Sequence, residues 1–267
     1  MRTAGVIGWP IAHSKSPVIH RFWLRVLGID GDYSRFAVRP DELGAAVRAL
    51  PALGIAGVNV TVPHKVAVLD WLDDVSPEAA AIGAVNTVVV RDGRLWGTNT
   101  DIAGFAGALA GRHVEHAVVV GAGGAARAVL PALERLGVRR ITVMNRSVDK
   151  ALALLEELGI EGDAVPLATM APDADLLVNA SSLGMKGELA LRLDLSALPD
   201  GATVYDIVYA PLETALLAAA RARGLRTIDG LEMLVGQAAA AFELFFGAQP
   251  PRGRDAELRA LLIGGAG

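Results

Sequence analysis

The run Val118-Val119-Val120-Gly121-Ala122-Gly123-Gly124-Ala125-Ala126-Arg127 constrains the fold of this chain more than any other stretch. A β-branched apolar run ends at a glycine turn, and a helix-forming run follows at once. Gly121, Gly123 and Ala126 fill the three small-residue positions of a G-x-G-x-x-G/A pattern. In that pattern the first residue makes a tight turn, the second lets backbone approach a pyrophosphate, and the third lets helix pack closely on strand. The free N–H groups at the helix start then face the phosphates. A purely structural glycine turn is the competing reading, but strand before and helix after are the context that dinucleotide binding requires. Gly121, Ala122, Gly123, Gly124 and Ala125 are therefore expected to line a dinucleotide.

The end of the next strand separates the two common dinucleotides. An NAD site usually places Asp or Glu there, about 20 residues on, to bond the ribose 2′-hydroxyl. This chain reads Met144-Asn145-Arg146-Ser147, with Lys150 one turn further. An arginine suits a dianionic 2′-phosphate, and no carboxylate stands beside it to repel that charge. NADP is the expected cofactor, with Arg146 as a plain surface arginine the alternative.

Around this motif, strand and helix patterns alternate. Strands are expected at Ala117–Val120, Arg140–Met144, Leu176–Asn179, Val204–Ile207 and Leu225–Ile228, with helices at Gly124–Leu136, Val148–Leu158 and Leu212–Arg223. Such alternation argues for a parallel sheet covered on both faces. Upstream, strands are expected at Ala4–Gly8, Tyr33–Val38 and Gly57–Val62, and a helix over Asp41–Leu53. Ser16-Pro17 and Ser76-Pro77 each read as an N-cap serine followed by proline at the first helical position. The apolar helical run Met233–Phe246 has no strand after it, and is expected to return to the first domain.

One upstream stretch reads differently. Val85–Val90 and Leu95–Asn99 flank Asp92-Gly93, a dipeptide suited to a two-residue type I′ hairpin turn. That register sets Arg91 against Arg94 and, counted outward, Asn86 against Asn99, close to the segment carrying Asp101.

Composition excludes several classes. The 267 residues suit two modest domains and are 52% hydrophobic, enough to build a sizeable core. A net charge of −4 gives no basic field for nucleic acid or anionic membrane. No cysteine is present, so disulfides, thiolate nucleophiles and Cys-based metal sites are absent. His13, His20, His64, His113 and His116 form no metal-ligand spacing, and His13 reads as a loop residue supporting backbone. No apolar run is long enough to span a bilayer, and a strand starts within a few residues of Met1. A cytoplasmic protein without metal, nucleic-acid or membrane partners is expected.

Four polar segments at strand ends are harder to explain by folding alone. They are Gly8-Trp9-Pro10-Ile11-Ala12-His13-Ser14-Lys15-Ser16-Pro17, Asn59-Val60-Thr61-Val62-Pro63-His64-Lys65, Asn86-Thr87, and Gly97-Thr98-Asn99-Thr100-Asp101. In this order they resemble the shikimate dehydrogenase family. The resemblance continues through Asn145-Arg146-Ser147, Asn179-Ala180-Ser181-Ser182-Leu183-Gly184-Met185, Tyr205-Asp206-Ile207-Val208-Tyr209 and Gly230-Leu231-Glu232-Met233-Leu234-Val235-Gly236-Gln237, so it covers essentially the whole chain.

The resemblance implies reversible reduction of 3-dehydroshikimate to shikimate with NADPH, on the route to chorismate and the aromatic amino acids. It implies that Lys65 and Asp101 form the catalytic pair, with Lys65 the proton donor. Ser14, Ser16 and Tyr209 are implied to bind the substrate carboxylate. Asn59, Thr61, Asn86, Asp101 and Gln237 are implied to hold the ring hydroxyls. Asn145, Arg146, Ser147, Lys150, Ser181, Met185, Ile207, Gly230 and Met233 join the glycine turn as implied cofactor residues. Taken singly, Lys65 is a surface lysine, Asp101 a helix N-cap, and Met185 and Met233 packing residues.

Departures from the family pattern are small. Ser147 and Ser181 stand where threonine is more usual and keep the hydroxyl, while Lys150 stands where many relatives carry arginine. Ile102-Ala103 follows Asp101 where a glycine is frequent. The expected architecture is α/β, with a substrate-binding domain over residues 1–101 plus 233–267 and a Rossmann-like NADP-binding domain over 102–232. A monomer or homodimer is expected. Two other readings stay open: an enzyme of dual quinate and shikimate specificity, and a non-catalytic shikimate-binding sensor.

Overall fold

The computed structural model describes residues 1–168 and 170–264. The chain divides into two compact units, Met1–Thr100 with the segment from Gln237 onward, and Asp101–Gly236. The chain thus passes from one unit to the other before Asp101 and returns after Gly236. A helix spans the return, so no loop marks it.

In the first unit the strands are β1 (Arg2–Gly8), β2 (Gly31–Ala37), β3 (Ile55–Val60), β4 (Asp74–Val75), β5 (Thr87–Arg91) and β6 (Arg94–Thr98). They form one sheet in the order β2-β1-β3-β5-β6-β4. β1 runs parallel to β2 and β3, whereas β5 is antiparallel to β3 and β6. The hairpin has the expected register, Arg91 opposite Arg94 and Thr87 opposite Thr98. Asp92 and Gly93 carry the positive φ values, 50° and 75°, that its turn demands. Helices α1 (Ser16–Leu27), α2 (Leu43–Ala49) and α3 (Pro77–Ile82) complete the main part of the unit.

The second unit holds α4 (Asp101–Ala108), β7 (His116–Val120), α5 (Ala126–Arg135), β8 (Arg140–Asn145), α6 (Val148–Leu158) and β9 (Asp163–Pro166). β10 (Leu176–Asn179), β11 (Thr203–Asp206), α7 (Ala215–Ala222) and β12 (Arg226–Ile228) follow. The strand order is β12-β11-β10-β7-β8-β9, with every pairing parallel. This is the doubly wound order of a Rossmann-like sheet, whose order reverses beside the strand carrying the glycine turn. Val118, Val119 and Val120 are buried on both faces, as a central parallel strand must be.

The last elements are α8 (Gly230–Phe246) and α9 (Asp255–Gly264). α8 starts in the second unit and ends in the first. There Phe242, Phe245 and Phe246 surround His20, Trp23 and Tyr33, with the His20 ring stacked on Tyr33 at 4.0 Å. The C-terminal part of α8 thus supplies three phenylalanines to the core of the first unit.

Several local expectations need correction. Ser16 is the first residue of α1 rather than its cap; the cap position is Lys15, with no side-chain bond to the helix. Ser76 does cap α3, accepting from the Ala79 N–H at 3.2 Å. The helix read over Asp41–Leu53 is a short 3-10 turn at Pro40–Glu42 followed by α2, which ends ahead of Pro51, a residue with no N–H to continue the helical ladder. β3 stops at Val60 rather than Val62, since Pro63 follows and the chain turns through a His64 N–H to Thr61 carbonyl bond of 2.9 Å. The sequence reading omits β4, which is only two residues long, and β9, a half-exposed edge strand ending in proline.

Candidate active site

The polar residues of the first unit gather at the ends of its central strands. After β1 the chain runs to α1 through Ser14 and Ser16, both buried. The Ser14 N–H donates to the Ile11 carbonyl at 3.0 Å, and Arg35 Nε donates to the Ser14 carbonyl at 2.9 Å. The Ser16 N–H donates to Ser14 Oγ and that hydroxyl donates on to Ser16 Oγ, each at 3.3 Å. Burial holds the Tyr33 hydroxyl well above the usual tyrosine range, against a smaller opposing pull from the Ser16 side chain. Lys15, between the two serines, reaches the Leu262 carbonyl near the end of α9.

Asn59, next to last in β3, stands directly opposite Thr87 on β5, so their side chains share one face. Tyr33 donates to Asn59 Oδ1 at 2.6 Å, and Asn59 Nδ2 donates to Thr87 Oγ1 at 3.0 Å and the Asn86 carbonyl at 3.3 Å. Asn86 Oδ1 accepts from the Thr87 hydroxyl at 2.9 Å and the Thr100 N–H at 2.7 Å. The hairpin register therefore brings Asn86 to the backbone immediately before Asp101. Every member of this group is buried.

Lys65 closes the segment after β3 and is half-buried, its carbonyl accepting from the Val85 N–H at 2.8 Å. Thr61, also half-buried, donates its N–H to the Ile7 carbonyl at 3.0 Å. His64 is fully enclosed and bonds the Val38 carbonyl through Nε2 at 2.7 Å. Gln237 is buried in the part of α8 that belongs to this unit.

In the second unit the glycine turn follows β7. Gly121 has φ of 104°, and a Cβ there would stand 3.0 Å from the Ser181 Cβ. Neither strain nor clash arises with glycine, so this turn passes close beneath the loop after β10. A Cβ at Gly123 or Gly124 would meet nothing of the protein within 4 Å, which leaves that side of the turn open to a bulky ligand. At the end of β8, Asn145 Nδ2 donates to the Ser147 carbonyl at 2.8 Å. Arg146 and Lys150 are exposed, and neither has an ion-pair partner among the described residues. A glycine cradle and two uncommitted cations fit a dinucleotide bearing an extra phosphate.

The loops after β10 and β11 are tied together by groups that the sequence reading passes over. Asn179 Nδ2 donates to the Leu183 carbonyl and to Asp206 Oδ1, each at 2.9 Å, while Ser181 Oγ donates to Asn179 Oδ1 at 2.7 Å. Asp206 also accepts from the Val208 N–H at 3.0 Å and the Thr214 hydroxyl at 2.7 Å. Burial pushes the Asp206 carboxyl upward, against the pull of these three donors. The network shapes the loops carrying Ser181, Met185, Ile207 and Tyr209. Met185 is partly exposed, Ile207 and Tyr209 are half-buried, and Met233 is buried in α8. Gly230 starts α8 pressed against the Ile207 carbonyl.

The first unit thus brings Tyr33, Asn59 and Asn86 into one bonded group, and pairs Ser14 with Ser16. Asp101, Tyr209 and the cofactor residues belong to the second unit, where Asp101 opens α4. Tyr33, His64, Arg35, Thr87, Thr100, Asn179, Asp206 and Thr214 are structurally committed polar residues without a role in the sequence reading. Thr87 and Thr100 carried a signal, standing beside Asn86 and Asp101 in the polar segments. Among the described residues no group of His, Asp and Glu could hold a metal ion, and no helix is long and apolar enough to cross a membrane.

Comparison with known proteins places these features among relatives. Residues 6–88 match the model of the shikimate dehydrogenase substrate binding domain, 107–184 that of shikimate / quinate 5-dehydrogenase, and 230–257 that of the shikimate 5'-dehydrogenase C-terminal domain. A curated shikimate dehydrogenase (NADP(+)) from Sphingopyxis alaskensis is 59% identical, covering 97% of this chain and 96% of its own length. The solved shikimate 5-dehydrogenase of Thermus thermophilus, in complex with NADP(H) and shikimate, is 43% identical with a TM-score of 0.87, covering 97% of this chain and 99% of that one. Quinate dehydrogenase from Corynebacterium glutamicum, in complex with NAD, is similar at 35% identity and a TM-score of 0.86, covering 97% and 98%.

Proposed function

The chain belongs to the shikimate dehydrogenase family, and on that premise we propose how its own residues carry out the reaction. It is an NADP-dependent oxidoreductase that interconverts 3-dehydroshikimate and shikimate in the pathway to the aromatic amino acids. The observation that supports the assignment of residues is the buried Asn59–Thr87–Asn86–Thr100 group beside the anchored Lys65 segment. Shikimate is a small acid with several hydroxyls, and a closed site must answer each with a donor or acceptor, because an unpaired polar group is costly.

Substrate binding is assigned to the first unit and NADP binding to the second. Ser14 and Ser16 offer hydroxyls to the carboxylate, joined by Tyr209. Asn59, Thr61, Asn86 and Gln237 hold ring hydroxyls. Gly121 to Ala125 cradle the pyrophosphate, and Asn145, Arg146, Ser147 and Lys150 take the 2′-phosphate end. Ser181, Met185, Ile207, Gly230 and Met233 line the rest of the cofactor.

NADPH supplies the hydride. Lys65 gives a proton from Nζ to the carbonyl oxygen of 3-dehydroshikimate as that oxygen gains charge, and in the oxidative direction neutral Lys65 takes it back. Asp101 orients the ammonium and accepts from a neighbouring substrate hydroxyl, so the proton is aimed at the oxygen of the carbon that is reduced. A cytoplasmic, monomeric or homodimeric enzyme completes the proposal. Use of quinate or NAD is the second reading, supported by the likeness to quinate dehydrogenase.

The test is NADPH absorbance with shikimate or quinate, each with NADP or NAD, for the wild type and Lys65→Ala. The expected outcome is turnover with shikimate and NADP, with kcat falling about 10²–10⁴-fold in the variant while shikimate still binds. Turnover unaffected by Lys65→Ala would remove Lys65 from its role. Quinate or NAD rates equal to those with shikimate and NADP would move the protein to dual specificity.

A further inference from the structure

The amides of Asn59 and Asn86 are oriented by backbone groups that have only one hydrogen-bonding role. The Thr100 N–H can only donate, and it meets Asn86 Oδ1 at 2.7 Å. The Asn86 carbonyl can only accept, and it receives Asn59 Nδ2 at 3.3 Å. Turning either amide over would set donor against donor or acceptor against acceptor.

The hydroxyl polarity follows from those two orientations. Asn59 Nδ2 uses its other hydrogen on Thr87 Oγ1 at 3.0 Å, so the Thr87 proton turns away from it, to Asn86 Oδ1 at 2.9 Å, the shorter of its two options beside Thr100 Oγ1 at 3.2 Å. Asn59 Oδ1 takes the proton of Tyr33 at 2.6 Å. Asn86 Nδ2 places one hydrogen on Thr100 Oγ1 at 3.1 Å. What remains for a ligand differs between the two residues: an acceptor lone pair on Asn59, a single N–H on Asn86.

We propose that Tyr33 and Thr87 are positioning residues that give the substrate site a fixed polarity, so that a ligand hydroxyl at Asn59 must donate and one at Asn86 must accept. The proposal rests on the reading that these two asparagines hold substrate hydroxyls. Among the described residues Thr87 is the only side chain that accepts from Asn59 Nδ2, because it stands directly across the strand pair from Asn59. Tyr33 is equally committed, stacked on His20 and closed off from water. Loss of either hydroxyl leaves an amide group of Asn59 unmet and its plane held by fewer bonds, which weakens substrate binding without touching the groups that transfer protons.

Initial rates with shikimate and NADP test this for Tyr33→Phe, Thr87→Val and Thr87→Ser. Deleting either hydroxyl is expected to raise KM for shikimate about 3- to 10-fold, with kcat and KM for NADP within about 2-fold, the range of one net hydrogen bond. Thr87→Ser keeps the hydroxyl and is expected to return the wild-type KM. Unchanged shikimate KM in Thr87→Val overturns the proposal. So does a fall in kcat with a matching rise in KM for NADP, because general structural damage would do the same. If Tyr33→Phe does not fold, the two Thr87 variants decide alone. A wild-type protein that fails to turn over shikimate would instead sink the underlying reading, an outcome visible before any variant is made.

Discussion

His64 Nε2 meets the carbonyl oxygen of Val38 at 2.7 Å. A carbonyl only accepts, so Nε2 carries the proton and the imidazole is held as that tautomer. The bond ties the segment after β3 to the segment after β2, one residue before Lys65. A buried donor removed from such a pair leaves the acceptor unmet, at a cost of about 1–3 kcal/mol.

His64→Ala is therefore expected to release the Lys65 segment. A reacting group displaced by about 1 Å loses up to about 10² in rate, so kcat/KM for shikimate should fall by up to that factor. His64→Gln, which can still donate from a side-chain nitrogen, should recover part of the loss. Binding of NADP, measured by fluorescence titration, should stay unchanged in both. Equal activity in wild type and His64→Ala would show that the anchor has no catalytic consequence.

His20 offers a test by pH. It is wholly buried among Trp23, Tyr33 and the phenylalanines of α8, and among the described residues neither ring nitrogen has a hydrogen-bond partner. Burial lowers its pKa from 6.5 to about 3. This is a base whose folded value is depressed, so the unfolded chain gains a proton first as the pH falls. Stability due to neutral His20 is complete above 6.5 and is lost progressively below it, at a limiting slope of about 1.4 kcal/mol per pH unit. His20→Leu, which nearly conserves volume, should remove that proton from the acid limb. Urea midpoints measured from about pH 7 to about pH 4 should converge for the two proteins or cross as the pH falls. A constant gap between them would mean that His20 does not titrate on unfolding in that range.

The parts of this protein that show in its sequence are those set by near neighbours along the chain. Val118 to Val120 form an apolar run because β7 is covered on both faces, and Asp92-Gly93 marks a hairpin because its φ values suit few other residues. The register that follows from that turn carries Asn86 to Thr100 without any knowledge of the rest of the sheet. Tyr33 and His64 belong to a different class. Tyr33 reads as one more strand residue, and its bond to Asn59 exists because β1 lies between β2 and β3. His64 shows in the sequence only as part of a polar segment after a strand, and its partner is a carbonyl brought beside it by the fold. β9 escapes notice because an edge strand is half-solvated and lacks the apolar run of its buried neighbours.

Arg146 and Lys150 allow cofactor choice to be tested apart from catalysis. Both stand exposed after β8, with no carboxylate paired to either among the described residues. A guanidinium bonded to a phosphate contributes about 1.5–3 kcal/mol, or roughly 10- to 150-fold in affinity. Arg146→Ala should raise KM for NADP by that order while leaving KM for NAD and KM for shikimate near their wild-type values. Lys150→Ala should act in the same direction but more weakly, because a flexible ammonium makes no planar two-point contact. Added salt should narrow the difference between wild type and Arg146→Ala, since the contact lies at the surface. A parallel rise in KM for NAD would mean that Arg146 supports the fold of the site rather than reading the 2′-phosphate, and the selectivity for NADP would then have to come from elsewhere in the loop after β8.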